Sequence, residues 1–531
     1  MHYTSWRFAL AILALLNGLA AAGRMHERAR RKGFAEGLVN DLKTRASYQP
    51  RNHTDFRFLS DATKEFQVKA LPDIPFDVGE LYSGVIPIDE SEPGRGLFFV
   101  FQPTVGEPVD EVTIWLNGGP GCSSLEGFLQ ETGLFSWQWG QYTPLINQYS
   151  WVNLTNVLWV EQPVGTGFSQ GEVRATSTAD VAKDFVDWFL NFQKTFGICK
   201  FKIYVTGESY AGIYVPYISG EMLDRNDTDR LDVRGNLIYD PCIGSFVYTQ
   251  EQAVAVPWVQ QNNNILGLNQ TFLAELEQRD KSCGYAAYRE QYLTFPSSGL
   301  QEPKYFNHSA DTGCDLWSLA HDACFRTNPC FNVYEPNLQC PLLSDPLGYP
   351  TDLQYAYPGL PVYFNRTDVK EAMHAPADVD WVECAPKPVF VGDGGPEDEG
   401  DLSPDPIQHA LPRVIEATGR VLIANGALDF DIITNGTLIA IQNMTWGGTR
   451  GFQQQPSKPI VITLPDLQYR PAFEANGFGP IEEPMGTMGV QHFERGLMWA
   501  ETLLSGHMEP QFQPRVAYRH LQWLLGRIEE L

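Results

Sequence analysis

Short apolar runs recur along the chain and predict the strands of a buried sheet. Most are rich in β-branched or aromatic residues and end in glycine, asparagine or proline, which is typical of strands inside a protein. The clearest examples are VTIWL (112–116), VLWV (157–160), KIYVT (202–206), VLIA (421–424) and IVITL (460–464). We therefore expect a sheet whose strands are buried.

A helix is predicted between the second and third of these runs. Its apolar residues from Val181 to Phe192 recur at spacings of three and four, and Ser177 or Thr178 can cap its start. A strand–helix–strand order with buried strands indicates a mainly parallel central sheet in an α/β fold.

The first residues have the pattern of a secretory signal peptide. Arg7 precedes an apolar run over 8–16, and small residues follow at 20–22. This run is too short and wrongly flanked for a membrane anchor. We predict a signal peptide at 1–22, followed over 23–50 by a removable propeptide or, alternatively, by an exposed N-terminal arm. The mature protein is expected to be secreted or vacuolar, with no membrane as partner.

Asn-x-Ser/Thr sequons support export and predict N-linked glycans. A single sequon arises by chance, but this number in an exported chain indicates that several carry glycans. The sequons begin at Asn52, Asn153, Asn226, Asn269, Asn307, Asn365, Asn435 and Asn443.

Residues 242–349 differ from the rest of the chain because they carry many cysteines and little strand pattern. Cys242 begins the segment, and five more of the nine cysteines cluster within it, at Cys283, Cys314, Cys324, Cys330 and Cys340. In an oxidising compartment such a cluster forms local disulfides, and the odd total leaves a thiol unpaired. We predict an inserted, disulfide-rich, partly helical cap between two parts of the core, 51–241 and 350–531. CxxC spacing is absent, so we expect no metal site.

The net charge of −26 limits the partners of the protein. A surface this acidic argues against nucleic acid and against anionic membrane. It fits a protein that works at low pH, where part of the charge is neutralised, and equally the general acidity of secreted proteins.

A tight turn in the chain presents a candidate nucleophile. GESYAG (207–212) follows KIYVT and precedes a segment of helical character, so Ser209 lies at a strand-to-helix turn. Gly207 and Ala211 are small, which lets strand and helix pack around a strained serine, as in the nucleophile elbow of hydrolases. The alternative is a serine in an ordinary turn.

The acid and histidine partners of such a serine follow it along the chain. His507 lies in a glycine-flanked, proline-closed loop that can present its ring, whereas His492 and His520 occur in segments of helical spacing. Asp429 comes just past a predicted strand, with Asp431 as the alternative. We predict that burial under the cap lowers the pKa of His507.

Several motifs together resemble those of the serine carboxypeptidases. They are WLNGGPGCSS (115–124), EQPVGTGFS (161–169), GESYAG (207–212), ALDF (427–430) and SGHM (505–508). The resemblance runs from about residue 56 to the C-terminus and is nearest to fungal secreted or vacuolar members. It implies an α/β-hydrolase fold with an inserted cap and no cofactor. It also implies release of C-terminal amino acids from peptides and proteins at acidic pH through an acyl-enzyme.

The resemblance also implies roles for individual residues. The family's triad matches Ser209, Asp429 and His507. The oxyanion hole falls on the backbone amides of Gly119 and Tyr210. The pocket for the substrate's terminal carboxylate maps onto Trp115, Asn117, Gly118, Glu131 and Glu208. A disulfide is expected between Cys122 and Cys384.

A glutamate directly before the candidate nucleophile poses an electrostatic problem. An ionised Glu208 would repel both the oxyanion and a substrate carboxylate, whereas a protonated one would donate a hydrogen bond. We predict that Glu208 and Glu131 share a proton at acidic pH and, with Asn117 and the Gly118 amide, hold the terminal carboxylate. The alternative is a purely structural Glu208.

Three departures from the family pattern affect substrate preference. ETGLF (131–135) lacks the usual asparagine and proline, the usual cysteine after Asp429 is absent, and Glu509 replaces an apolar residue. Two rival functions remain: an acyltransferase or esterase on the same scaffold, and a non-catalytic secreted binding protein. The retained carboxylate pocket argues against the first, and the intact motifs argue against the second.

Overall fold

The computed structural model describes residues 56–307, 312–340, 344–348, 362–392, 400–462 and 486–531. The chain divides into two units, and the larger comprises 57–74 and 80–531. Of the smaller unit, 1–56 and 75–79, the structure describes only residue 56 and 75–79. The predicted signal peptide, the 23–50 segment and the Asn52 sequon lie outside the described residues.

The core of the larger unit is a ten-stranded sheet of order β1-β2-β6-β3-β7-β8-β9-β14-β13-β12. Two small ribbons, β4–β5 and β10–β11, lie outside it. The strands are β1 (Tyr82–Pro87), β2 (Gly96–Gln102), β3 (Glu111–Leu116), β4 (Phe135–Ser136), β5 (Leu145–Ile146), β6 (Asn156–Glu161), β7 (Lys202–Glu208), β8 (Asp232–Tyr239), β9 (Val421–Gly426), β10 (Thr445–Trp446), β11 (Thr449–Arg450), β12 (Lys458–Ile462), β13 (Gly486–Glu494) and β14 (Leu497–Thr502).

The middle of the sheet is parallel and its edges are antiparallel. Strands β6, β3, β7, β8, β9 and β14 pair in parallel, and β3, β6 and β9 are buried along their whole length. Continuous apolar strands are typical of parallel sheets covered on both faces. The mainly parallel α/β fold predicted from the sequence is confirmed.

One predicted strand has a different place from the others. The run at 460–464 falls partly in β12, which lies at the sheet edge, pairs antiparallel with β13 and is exposed at three of its five positions. The expectation of a buried strand is therefore wrong here. Short apolar runs do not distinguish an edge strand from a central one.

The helices flank the sheet and fill the segment between β8 and β9. They are α1 (Thr178–Phe196), α2 (Ala211–Asp224), α3 (Ala255–Leu266), α4 (Gln270–Ser282), α5 (Tyr285–Tyr292), α6 (Leu316–Thr327), α7 (Thr367–Ala372), α8 (Ala410–Thr418), α9 (Thr434–Asn443), α10 (Glu509–Phe512) and α11 (Pro514–Leu524). The predicted helix is α1, and Ser177 caps it by accepting a hydrogen bond from Asp180 N. No helix among the described residues is long and apolar enough to cross a membrane.

The segment between β8 and β9 carries helices α3 to α6 and its own disulfides. Cys283 pairs with Cys314, and Cys330 pairs with Cys340. Cys324, the remaining cysteine of the predicted cluster, is free and buried. The inserted segment is therefore helical and disulfide-stapled, as the sequence indicated.

Candidate active site

Ser209 lies at the turn between β7 and α2. Its φ is 61°, in the left-handed region that a serine adopts only when its surroundings enforce it. Two backbone bonds enforce it here: Ser209 N donates to Tyr239 O at 3.0 Å, and Cys242 N donates to Ser209 O at 2.9 Å. The turn therefore displays the serine at the carboxyl end of the sheet.

A glycine is required at position 207, two residues before Ser209. A Cβ on Gly207 would lie 2.7 Å from the Ala211 Cβ and closer still to the Leu116 carbonyl. The strand and the helix approach each other too closely for a side chain at this position. The sequence predicted this close packing from the small residues around the serine.

His507 and Asp429 form a buried pair. Nδ1 of His507 lies 2.6 Å from Oδ2 of Asp429, and the two side chains are 4% and 0% exposed. Asp429 follows β9, and its Oδ1 accepts a hydrogen bond from Asp431 N at 2.8 Å. Of the two aspartates considered from the sequence, Asp429 is the one that contacts His507.

The inserted segment holds the loop that carries His507. His507 N donates to Tyr334 O at 2.8 Å, and the two rings lie 4.9 Å apart. Gly506 N donates to Oε2 of Glu335 at 2.8 Å. The cap thus fixes the histidine from one side while Asp429 orients it from the other.

The pKa of His507 is raised, and the expectation of a lowered value is wrong. Burial lowers the pKa of the imidazole as expected, but the charge of Asp429 and its hydrogen bond outweigh burial. Asp431 and Glu126 add to the same effect. The base form of His507 therefore becomes scarcer as the pH is lowered.

The other late histidines lie away from this pair. His520 is in helix α11, as its spacing predicted, but His492 is in strand β13 and its helical prediction is wrong. Nε2 of His492 lies 3.0 Å from Glu494 Oε2. The burial of β13 does not alternate regularly, so the sequence around His492 gave no distinct strand signal.

One cluster of potential metal ligands occurs among the described residues, and hydrogen bonds explain it. Ligand atoms of Asp240, Asp429 and His507 lie within 4.8 Å of one another. Asp240 Oδ1 already accepts from Gly426 N at 2.9 Å and from Asn425 Nδ2 at 3.0 Å, and His507 Nδ1 faces Asp429. The expected absence of a metal stays a prediction.

The glycine loop after β3 packs directly on the serine turn. A Cβ on Gly118 would lie 2.5 Å from Tyr210 N and 2.6 Å from the Ser209 Cβ. Gly119 has a φ of 105°, and the Cys122–Cys384 disulfide ties the end of the loop to a distant part of the chain. The backbone of the loop and the amide of Tyr210 therefore surround Ser209.

A cavity of about 170 Å³ joins these parts. Ser209, His507, Gly119 and Tyr210 all line it, together with Asn117 at the end of β3. Asp429 is buried behind His507. The serine, the histidine and the glycine loop thus face one space.

A chain of hydrogen bonds orders the side chains after β3. Trp115 Nε1 donates to Asn117 Oδ1 at 2.7 Å, which fixes the amide of Asn117. Asn117 Nδ2 then donates to Glu208 Oε1 at 2.7 Å and to Glu126 Oε2 at 3.2 Å. Trp115 is fully buried and does not line the cavity, so it can act there only through Asn117.

Three buried carboxyl groups converge on Asn117. The side chains of Glu131 and Glu208 interact with each other, and Glu126 lies beside them. No donor among the described residues makes a well-directed hydrogen bond to either oxygen of Glu131 or to Oε2 of Glu208. Carboxyl groups that interact this closely titrate as a pair, and one shared proton relieves their repulsion.

Burial and mutual repulsion favour the protonated forms of these groups. The pKa values of Glu131 and Glu208 lie well above the usual range, first because of burial and then because of the neighbouring carboxyls. Burial raises the pKa of Glu126 to about 7. Glu126 therefore keeps its proton until the pH nears neutrality, and Glu131 and Glu208 keep theirs well above the usual range of a glutamate.

Sequence reasoning missed Glu126 and Cys242, which both line the cavity. Glu126 directly precedes the π-helical turn Gly127–Glu131, whose i→i+5 hydrogen bonding brings residues five apart to one side. An α-helical spacing separates such residues, so the pattern gave no signal. Cys242 follows β8, and only its contact with the serine turn reveals its place.

These features define a class of protein. A mainly parallel sheet, a serine at a strand-to-helix turn and a later aspartate–histidine pair are the arrangement of the α/β-hydrolases. The profile of the serine carboxypeptidase family matches residues 72–527, and the chain belongs to this family.

The relatives agree with this assignment. Over 530 residues the chain is 60% identical to serine-type carboxypeptidase F of Aspergillus niger, covering 98% of each chain. It is 41% identical to a probable serine carboxypeptidase of Arthroderma benhamiae, covering 98% of this chain and 96% of the relative. The crystal structure of a prohormone-processing Kex1 carboxypeptidase from Saccharomyces cerevisiae shares the fold. It matches with a TM-score of 0.65 at 23% identity, covering 88% of this chain and 96% of that one.

Proposed function

We propose that this serine carboxypeptidase removes C-terminal amino acids from peptides and proteins at acidic pH, with Ser209, His507 and Asp429 as its triad. One observation carries the proposal. Ser209 and His507 line the same cavity as Asn117 and Glu208, so a nucleophile and a carboxylate-binding group face one substrate.

The reaction follows from these positions. Ser209 attacks the last peptide carbonyl while His507 accepts its proton, and Asp429 holds the imidazole in the required tautomer. The backbone amides of Gly119 and Tyr210 stabilise the oxyanion. His507 then protonates the leaving amino acid, and water hydrolyses the acyl-enzyme.

The carboxyl pair makes the enzyme an exopeptidase. Protonated Glu208, with the Asn117 amide and the Gly118 N–H, binds the terminal carboxylate of the substrate. Glu131 is buried and does not line the cavity, so it acts through the proton that it shares with Glu208. An internal peptide segment has no carboxylate to place there. If Glu208 and Glu131 were both ionised, they would repel the terminal carboxylate of the substrate. Protonation of the pair is therefore required for binding.

The direct test is a peptide ladder followed by mass spectrometry at acidic pH, with and without a serine-reactive phosphonate. We expect stepwise loss of residues from the C-terminus, abolished when the phosphonate labels Ser209. Cleavage of esters without loss of C-terminal residues would favour an esterase, and no labelling at Ser209 would contradict the proposed nucleophile.

Raising the pH from acidic to neutral should increase KM for peptides with a free C-terminus. The raised pKa values of Glu131 and Glu208 mean that the shared proton is present at low pH and is lost as the pH rises through those values. Blocked esters need no such proton, so their KM should change little. Their kcat should rise with pH as His507, whose pKa is raised, becomes neutral. Steady-state kinetics on matched acid and ester substrates measure both trends.

A Glu208→Gln variant isolates the carboxyl pair in this experiment. Glutamine cannot ionise, so KM for free-acid peptides should depend less on pH. Glu161→Gln is the matched control, because Glu161 is buried with a pKa raised to about 7 yet bonds Ser123 and Trp381 instead of lining the cavity. An unchanged KM profile in Glu208→Gln would rule out the shared proton.

The signal peptide and sequons support a secreted or vacuolar glycoprotein, and the structure separates the sequons by accessibility. Three asparagines are half-buried and bond neighbouring backbone atoms: Asn153, Asn365 and Asn443. Four are exposed: Asn226, Asn269, Asn307 and Asn435.

Glycan occupancy should follow this division. Asn365 is the clearest case, since its side-chain amide donates to Trp381 O and accepts from Trp381 N, both at 2.6 Å. A glycan there would disturb a buried tryptophan, whereas Asn435 is free of this constraint. Glycopeptide mass spectrometry of the protein secreted by a fungal host should find the exposed group occupied and Asn365 mostly bare. Full occupancy of Asn365 would contradict the structural argument.

A further inference from the structure

The charged side chains that line the cavity around Ser209 are mostly acidic. Its carboxyl groups belong to Glu126, Glu208, Glu251, Glu383 and Asp431. Among the described residues no lysine or arginine lines it, and His507 is its basic group. The reaction proposed above uses only Glu208 from this set.

The acids fall into two groups. Glu251 and Asp431 lie near Cys242, and their charges help to raise the pKa of its thiol. The backbone N–H of Cys242 donates to Ser209 O. Glu126 and Glu383 lie instead by Asn117 and the glycine loop.

The place of Glu126 and Glu383 is fixed by direct contacts. Glu126 Oε2 is 3.2 Å from Asn117 Nδ2, the donor that also bonds Glu208. Glu383 precedes the cysteine of the Cys122–Cys384 disulfide, and its carbonyl accepts from Ser123 N at 2.7 Å. Both acids therefore lie next to the group that binds the substrate's terminal carboxylate, which is where the side chain of the last residue must lie.

These carboxyls also lack a lysine or arginine partner within the cavity. Within the described ranges, Glu126 and Glu383 take part in no ion pair, and Glu383 Oε2 makes no hydrogen bond. Buried acceptors without donors are costly, and a ligand that supplies donors and positive charge satisfies them.

We propose that Glu126 and Glu383 bind the side chain of a C-terminal lysine or arginine, and so make the enzyme select basic over uncharged residues as the leaving group. This inference rests on the proposed function, because it takes Asn117 as the anchor of the terminal carboxylate.

The selectivity increases with pH, since only ionised carboxylates attract a cation. Burial raises the pKa of Glu126 to about 7, and it raises that of Glu383 well above the usual range, helped by the charges of Glu126 and Asp345. Both groups are therefore protonated at acidic pH and ionise as the pH rises, with Glu126 titrating at about 7. The neighbouring carboxyls of Glu131, Glu208 and Asp345 oppose this ionisation, whereas the His507 cation favours it.

The test uses pairs of peptides that differ only in the last residue, lysine or norleucine, which have similar length but different charge. For the unaltered enzyme the ratio of kcat/KM for lysine over norleucine should rise between acidic and near-neutral pH. In Glu126→Gln and in Glu383→Gln the ratio should fall by about 10-fold or more at the higher pH, as expected for loss of a hydrogen bond to a charged group. Melting curves check that each variant is folded, and two independent variants protect the test if one fails to fold.

Glu251→Gln is the matched control, because it removes the same charge from the other acidic group of the cavity. It should change the ratio by less than about twofold, as expected of a charge that does not contact the leaving residue. An equal fall in Glu251→Gln, or a ratio unaltered in both Glu126→Gln and Glu383→Gln, would overturn the inference while norleucine release still upholds the proposed function. Failure of the unaltered enzyme to release either residue would overturn both.

Discussion

Replacing Ser209 by alanine is expected to lower kcat by about 10⁴- to 10⁶-fold, the range seen when a triad nucleophile is removed. Alanine keeps the backbone of the turn but removes the hydroxyl that attacks the peptide carbonyl. KM for free-acid peptides should stay within a few-fold, because Asn117 and Glu208 remain in place to bind the carboxylate. Steady-state kinetics and phosphonate labelling measure the two effects separately.

Ser219→Ala is the matched control for this substitution. Ser219 lies on α2, the helix that starts after the turn, and its hydroxyl bonds Asn236 Oδ1 at 2.9 Å away from the cavity. Its loss should reduce stability slightly and leave kcat unchanged. Removal of a triad serine leaves far less than about a hundredth of the activity. If Ser209→Ala retained more than that, another nucleophile would be at work.

Replacing Asp429 by asparagine should lower kcat by about 10⁴-fold. The amide can still accept the hydrogen bond from Asp431 N, so the loop should keep its shape. An amide that donates to Nδ1 of His507 would leave the imidazole with its proton on the wrong nitrogen, unable to accept one from Ser209. The loss of negative charge should also lower the pKa of His507, which Asp429 now raises.

Asp431→Asn separates this effect from a general loss of charge. Asp431 lines the cavity and is coupled electrostatically to His507, but it makes no hydrogen bond to the imidazole. Its kcat should fall far less than that of Asp429→Asn. Equal losses of kcat in the two variants would mean that the negative charge near His507 matters and its orientation by Asp429 does not. The pH profile of kcat in each variant would show which aspartate raises the pKa of His507.

Much of this site could be predicted because its parts are local in sequence. A β-branched run followed by Gly-x-Ser-x-Ala and a helical segment determines a turn from adjacent residues alone. Chain order then placed the acid after a predicted strand, and the loop composition around His507 distinguished it from two other histidines. The structure brings Asp429 and His507 to 2.6 Å across 78 positions of sequence.

The rest depends on geometry that residue spacing does not reveal. The nearness of Glu126 to Glu131 follows from a π-helical turn, and the edge position of β12 follows from pairing with β13. The direction of the His507 pKa was missed because two opposing effects act on it. Burial was foreseen, but the strength of the short contact with Asp429 could not be known before the atoms were placed.

The hydrogen bonds between the inserted segment and the loop that carries His507 have a consequence for how such enzymes diversify. Tyr334 and Glu335 belong to the cap, yet they anchor the backbone of Gly506 and His507. A cap transplanted from a distant homologue to alter substrate range would therefore disturb the general base unless it supplied an equivalent carbonyl and carboxylate. Evolution of new specificities in this scaffold should proceed by changing the cavity-facing side of the cap while these two anchoring positions are retained.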